Sequence, residues 1–93
     1  MNDFQLGCML STKDLLKNKG IDANPFQEII GKTERYFVAK VTIKNRNYEI
    51  YVYKDEMGLG VGKKWWSFEQ SNFHSSQKLF EVFSKILSEQ LDL

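Results

Sequence analysis

The chain is poor in the residues that build disulfide bonds and metal centres. Its 93 residues include one cysteine (Cys8), one histidine (His74) and one proline. A single cysteine cannot form an internal disulfide bond, so the fold has to be stabilised by packing. Zinc sites of the usual kind take several Cys or His ligands. We therefore expect no metal site and no cofactor.

An excess of one charge and a long apolar run are also missing. The net formal charge is +1 at pH 7, with 13 basic and 12 acidic residues, which argues against a dedicated nucleic-acid-binding protein. No apolar run approaches the roughly 20 residues that a transmembrane helix needs. We therefore expect no membrane partner and a cytoplasmic location.

Apolar and aromatic residues are plentiful, at 42% and 14% of the chain. This content favours a folded protein over a disordered one. A chain of this length forms one compact unit and is too short for two, so we predict a single globular domain over residues 1–93.

Residues 34–55 predict a β-hairpin. Apolar side chains alternate with mixed ones along both halves, as strand geometry requires. A two-residue turn at Asn45-Arg46 would pair Ile43 with Tyr48 and keep both apolar rows on one face, whereas an odd loop would separate them. A second turn at Gly62-Lys63 would place Gly60 opposite Trp65. The result is a four-stranded antiparallel meander.

Three helices are expected around this sheet. Capping signals and a glycine stop predict a helix over 12–19, and Asn24-Pro25 would begin a second short helix that ends at Gly31. An apolar stripe with helical spacing predicts a longer helix from Ser75 or Ser76 to about Gln90, packed on the apolar face of the sheet. The predicted fold class is α+β in the order ααββββα.

The opposite face of the sheet, which we call the outer face, carries the candidate binding residues. Three alternating glycines (58, 60 and 62) would form a shallow trough beside Tyr51, Tyr53 and Trp65. The aromatic rings could shield the glycine backbone, or the trough could hold a planar ligand. Lys40 would lie on the outer face of an edge strand, where lysine discourages strand addition. Lysine interleaved with aromatic rings also suits single-stranded nucleic acid.

We therefore predict a small non-enzymatic binding module that uses the outer face or the edge formed by residues 36–44. The expected partner is another protein or a second copy of the chain, as a homodimer. Binding residues are Lys40, Tyr51, Tyr53 and Trp65. Single-stranded nucleic acid or a small planar ligand is the alternative, and an enzyme ranks third because no pattern brings catalytic groups together. No motif indicates a family, although in general form the chain resembles small bacterial proteins such as those carried on mobile gene cassettes.

Overall fold

Within residues 1–91, which a computed structural model describes, the chain forms two α-helices and a five-stranded antiparallel sheet. The elements are α1 (Asp3–Asn18), β1 (Gln27–Ile30), β2 (Arg35–Ile43), β3 (Arg46–Val52), β4 (Glu56–Val61), β5 (Lys64–Glu69), a 3-10 turn (Gln70–Asn72) and α2 (Ser76–Leu91). The strand order is β1-β2-β3-β4-β5. The predicted α+β class is confirmed, but the sheet has one strand more and the chain one helix fewer than expected. Positions 92 and 93 of the predicted domain lie outside the described residues.

The β2–β3 hairpin has the predicted two-residue loop, one position earlier than expected. Lys44 and Asn45 adopt φ values of 51° and 66°, the left-handed conformation that a tight hairpin turn requires at both central positions. The turn therefore pairs Ile43 with Arg46, and Val41 instead of Ile43 lies opposite Tyr48. The predicted pairing was wrong by two residues along one strand. Because the shift is even, every side chain stays on its predicted face.

The β4–β5 hairpin follows the prediction throughout. Gly62 has a φ of 58°, which glycine adopts without the steric cost that a Cβ would bring. Val61 pairs with Lys64, and Gly60 pairs with Trp65. The two adjacent tryptophans consequently lie on opposite faces of the sheet, because side chains alternate along a strand.

The N-terminal helix begins nine residues before the predicted one. Asn2 is its N-cap: the Gln5 backbone N–H donates to the Asn2 side-chain oxygen at 2.8 Å, and the Asn2 N–H donates to the Gln5 side-chain oxygen at 3.0 Å. This reciprocal capping box satisfies two backbone donors that the first helical turn would leave free. The helix then buries one side, at Phe4, Cys8 and Leu16, at spacings of four and eight residues.

The predicted second helix is a strand. Residues 27–30 pair with β2, from Gln27 opposite Val38 to Ile30 opposite Arg35, so that they satisfy the backbone of the strand next to them. Just before β1 in the chain, the Asn24 N–H donates to the Lys40 carbonyl at 3.3 Å. The expectation that β2 is an edge strand was therefore wrong, and most of its backbone is not available to a partner.

Both helices pack on the apolar face of the sheet. The C-terminal helix begins where predicted, with the Ser75 hydroxyl accepting from the Lys78 N–H at 3.2 Å. Phe83 is fully buried and contacts Phe68 of β5 edge-on, with ring centroids 5.6 Å apart. The core combines α1, α2 and the inner rows of four strands: Phe4, Cys8, Leu16, Phe37, Val41, Tyr48, Ile50, Val52, Met57, Leu59, Phe68, Leu79, Phe83 and Leu87. In the described part of the chain, no helix covers the outer face, and neither helix is long and apolar enough to cross a membrane.

Candidate functional site

Four aromatic rings form a continuous row across the outer face. Tyr36 lies on β2, Tyr51 on β3, Tyr53 just beyond the end of β3, and Trp65 on β5. Ring centroids are 5.0 Å apart for Tyr36 and Tyr53, 6.1 Å for Tyr53 and Tyr51, and 5.0 Å for Tyr51 and Trp65. We call these four residues the aromatic row. It brings together three of the four predicted binding residues and adds Tyr36, which the sequence analysis did not select.

The glycine trough is filled by the indole of Trp65. A Cβ built on Gly58 would lie 2.6 Å from Trp65 Cη2, and one on Gly60 would lie 3.0 Å from Trp65 Cε3. The first distance is too short for a real Cβ and the second is tight, so the ring needs glycine at position 58 and favours it at position 60. The Trp65 Nε1–H donates to the Ser67 hydroxyl at 2.8 Å, which fixes the orientation of the indole. Even so, 49% of Trp65 remains exposed.

Lys40 lies in the same surface groove as part of the aromatic row. The groove has a volume of about 430 Å³. Its walls come from β1, β2, β3 and the chain before β1, and the lining residues are Asn24, Pro25, Gln27, Ile29, Tyr36, Val38, Lys40, Glu49 and Tyr51. The structure thus places all four predicted binding residues on one face.

Two phenols of the aromatic row, those of Tyr51 and Tyr53, have raised pKa values. The Tyr51 hydroxyl donates to Glu49 Oε2 at 2.6 Å. This hydrogen bond, with burial and the nearby Glu49 charge, raises the pKa of Tyr51 to about 12. Burial and then the neighbouring Tyr36, Glu56 and Glu34 raise the pKa of Tyr53. Groups that titrate so far above neutrality are poor general acids or bases at pH 7.

The outer face carries acidic residues at one end of its strands. Glu56 lies directly opposite Glu69 in the β4–β5 pairing. Burial raises the pKa of the Glu56 carboxyl, and Glu69, Asp55 and Glu34 raise it further. We call Glu34, Asp55, Glu56 and Glu69 the acidic end.

Lysines occupy the other end of the same strands. Lys44 lies in the β2–β3 turn, and Lys63 follows Gly62 in the β4–β5 turn. Lys40 lies nearer the middle of β2, opposite Glu49 and level with Gly60 and Trp65. We call Lys44 and Lys63 the basic end. The aromatic row runs diagonally between the two ends, from Tyr53, which lies beside Glu56, to Trp65, which lies nearer the lysines.

Known proteins give no guide to this site. No protein-family model, curated protein or solved structure matches the chain. The function is therefore inferred from the arrangement of its own residues.

The nucleophile and the imidazole of the chain lie away from the aromatic row. Cys8 is 4% exposed on the buried side of α1, and burial raises the pKa of its thiol to about 11. A thiol with such a pKa is protonated at neutral pH and is a poor nucleophile. His74 lies exposed between the 3-10 turn and α2. Among residues 1–91, no group of three or more His, Cys, Asp or Glu side chains could hold a metal ion.

A cavity lies on the helical side of the sheet. It has a volume of about 520 Å³ and lies between α1 and the connection to β1. Ala39 forms part of its wall, with Leu16, Ile21 and Phe26. It is therefore separate from the aromatic row, which lies on the outer face.

Proposed function

We propose that the protein is a non-enzymatic interaction module that binds a partner protein through its outer face. The observation that carries this proposal is the aromatic row, four touching rings on the one face of the sheet that neither described helix covers. Tyrosine and tryptophan are enriched at protein interfaces, and they supply most of the binding energy there.

The fixed orientation of the rings supports binding. Each ring of the aromatic row contacts at least one other ring, and Trp65 is further held by its hydrogen bond to Ser67. Side chains that are ordered before binding lose little conformational entropy when a partner docks. The half-exposed Trp65 is the strongest candidate for the central anchor.

The titration behaviour of the nearby groups supports a non-enzymatic role. The phenol of Tyr51 and the thiol of Cys8 both have raised pKa values, so neither is poised for proton transfer or nucleophilic attack near pH 7. A cytoplasmic location accompanies the proposal, and a free, buried Cys8 thiol suits a reducing compartment.

Single-stranded nucleic acid is the second candidate ligand. The aromatic row could stack with bases, and Lys40 could contact a phosphate. The same face also carries Glu49, Glu56 and Glu69, whose carboxylates would repel the phosphate backbone. We therefore rank it below a protein. Fluorescence anisotropy with a labelled oligothymidylate at low and high salt tests it, since phosphate contacts make binding fall steeply with salt.

Site-specific photocrosslinking tests the proposed protein-binding face. Trp65 is replaced by p-benzoylphenylalanine, and a matched variant carries the same group in place of Val82, which is 40% exposed on α2. We expect position 65 to crosslink to a protein, either a different chain or a second copy, and position 82 to give little product. Equal crosslinking at both positions, or none at position 65, would contradict the proposal.

A further inference from the structure

The outer face is complementary in charge to itself. We propose that its partner is a second copy of this chain, bound face to face about a two-fold axis that runs across the strands at the Trp65 ring. This inference rests on the proposed function, because it needs the outer face to be a protein-binding surface. It adds the identity of the partner and the orientation of the two copies.

The charges at the two ends select the orientation. In a face-to-face dimer the two-fold axis lies in the plane of the interface. An axis parallel to the strands would place the acidic end of one copy over the acidic end of the other. An axis across the strands reverses the strand direction and places each acidic end over a basic end. Like charges in an interface oppose association, whereas opposite charges favour it and fix the orientation.

Distances along β4 and its turn agree with this axis. The Trp65 ring lies over Gly58 and Gly60, so its centre is near position 59. Glu56 is three residues before that position and Lys63 is four residues after it, which corresponds to about 10 Å and 13 Å along an extended strand. A two-fold axis through the ring would therefore bring Glu56 of one copy close to Lys63 of the other.

The other strands place matching charges at matching positions. Glu69, paired with Glu56 in the neighbouring strand, also falls near Lys63 of the second copy. On the β2 side, Glu34 lies at the acidic end and Lys44 at the basic end. The same rotation brings these two together. Each contact occurs twice in the dimer because the axis exchanges the copies.

The size of the surface predicts a dimer of moderate affinity. Five strands about 4.8 Å apart, each contributing about 20 Å of length, present on the order of 500 Å² per copy. Standard interfaces bury about 800 Å² per partner. The Trp65 ring lies on the axis, so Trp65 of one copy would meet Trp65 of the other. We expect the dimer to dissociate on dilution and in high salt, which screens the charges at both ends.

Reciprocal charge reversal tests the partner and the axis together. One variant carries Glu34→Lys, Glu56→Lys and Glu69→Lys, and a second carries Lys44→Glu and Lys63→Glu. In each variant both ends of the face have the same sign, so each should raise the dimer dissociation constant at least about tenfold. An equimolar mixture restores complementarity at both contacts and should form a heterodimer. Native mass spectrometry identifies it by mass, and sedimentation velocity measures the affinities.

Controls separate charge from folding. Lys85→Glu changes an exposed lysine on α2 and should leave the dimer intact. Circular dichroism should show that all variants are folded. Trp65→Ala should weaken the wild-type dimer but leave the pairing of the acidic end with the basic end unchanged.

Distinct outcomes would overturn the inference. If the wild-type chain is monomeric at about 500 µM, its dimer Kd would be on the order of 1 mM or weaker, and the partner is not a second copy. If both charge variants dissociate but their mixture stays monomeric, the axis is wrong. If either variant dimerises as well as the wild type, the charged ends do not meet.

The crosslinking experiment shows which proposal has failed. A monomeric chain whose position 65 crosslinks to a different protein keeps the proposed function and loses the inference. A monomeric chain with no crosslink at position 65 loses both.

Discussion

Replacing Gly58 by alanine should have opposite effects on stability in two backgrounds. In the wild-type chain the new Cβ would collide with the Trp65 indole, 2.6 Å from Cη2. The ring would have to retreat by roughly 1 Å, and a gap of that size forfeits a quarter to a half of its dispersion contact with the strand. Its edge contact with Tyr51, worth about 0.5–1.5 kcal/mol, would weaken as well. We expect a net loss of about 1 kcal/mol.

In a Trp65→Ala background the same change should stabilise the fold. Gly58 does not have a positive φ, so alanine fits its backbone, and glycine in a strand is less stable than alanine by roughly 0.5–1 kcal/mol. The two substitutions should therefore be coupled by about 2 kcal/mol, within the range measured for contacting residues.

Urea denaturation of the four proteins measures this coupling. The samples should be dilute, so that self-association does not contribute to the free energy of unfolding. Gly60→Ala is the matched control and should give a smaller coupling, because its Cβ would lie 3.0 Å from the ring. If Gly58→Ala has the same effect with and without Trp65, the indole does not lie on this glycine and the aromatic row is not held as described.

Three further predictions address the core, the thiol and the acidic end. Phe83→Ala should destabilise the fold by about 3–5 kcal/mol as a buried large-to-small change. Val82→Ala should change the free energy of unfolding by no more than about 0.5 kcal/mol in the same denaturation assay. Similar losses for the two variants would mean that α2 is rotated. Cys8 should react with a thiol reagent only as fast as the protein unfolds, and rapid labelling of the native protein would contradict its burial. The pKa of Glu56 is raised above its unfolded value of 4.5, so the fold loses stability as pH rises from 4.5 through the folded pKa. Glu56→Gln should therefore stabilise dilute protein at pH 7, by about 0.2–1 kcal/mol, and this gain should vanish below pH 4.5; a gain that is independent of pH would rule out the repulsion.

The hairpins were predictable because strand periodicity and turn chemistry agree. An even loop was required to bring two apolar rows to one face, and this parity argument is correct although the turn lies at Lys44-Asn45. Two asparagines, Asn45 and Asn47, flank Arg46, and the local sequence does not determine which of them adopts a positive φ. At Gly62 a single glycine removed that ambiguity.

The N-terminal third was mispredicted because its local signals are ambiguous. The spacing of Phe26, Ile29 and Ile30 fits a helical turn, but four residues are also enough for a strand. Pairing with β2 decides the outcome, and that is a tertiary interaction which the local sequence does not contain. For α1, the expected start at residue 12 lies inside the helix, whereas the actual cap uses Asn2 and Gln5, a pair that has the capping-box spacing.

The candidate site was only partly readable from the sequence. Period-2 alternation was sufficient to place Tyr51, Tyr53 and Trp65 on one face. The addition of Tyr36 depends on the order of the strands and on the 5.0 Å contact with Tyr53. The charge pattern of the two ends needs the whole sheet, because Glu34, Glu56 and Glu69 come from separate segments of the chain.

The simple strand order also has a consequence for how the chain folds during synthesis. Each strand pairs with the strand that precedes or follows it in sequence, so the sheet can form progressively as the chain leaves the ribosome, and such local pairing is fast. The helices differ, because α1 precedes all five strands in the chain and packs against α2, which follows them. Until α2 emerges, the inner side of the nascent sheet is covered by α1 alone. The period between completion of β5 and completion of α2 is therefore when the nascent chain is most exposed to aggregation and most dependent on chaperones.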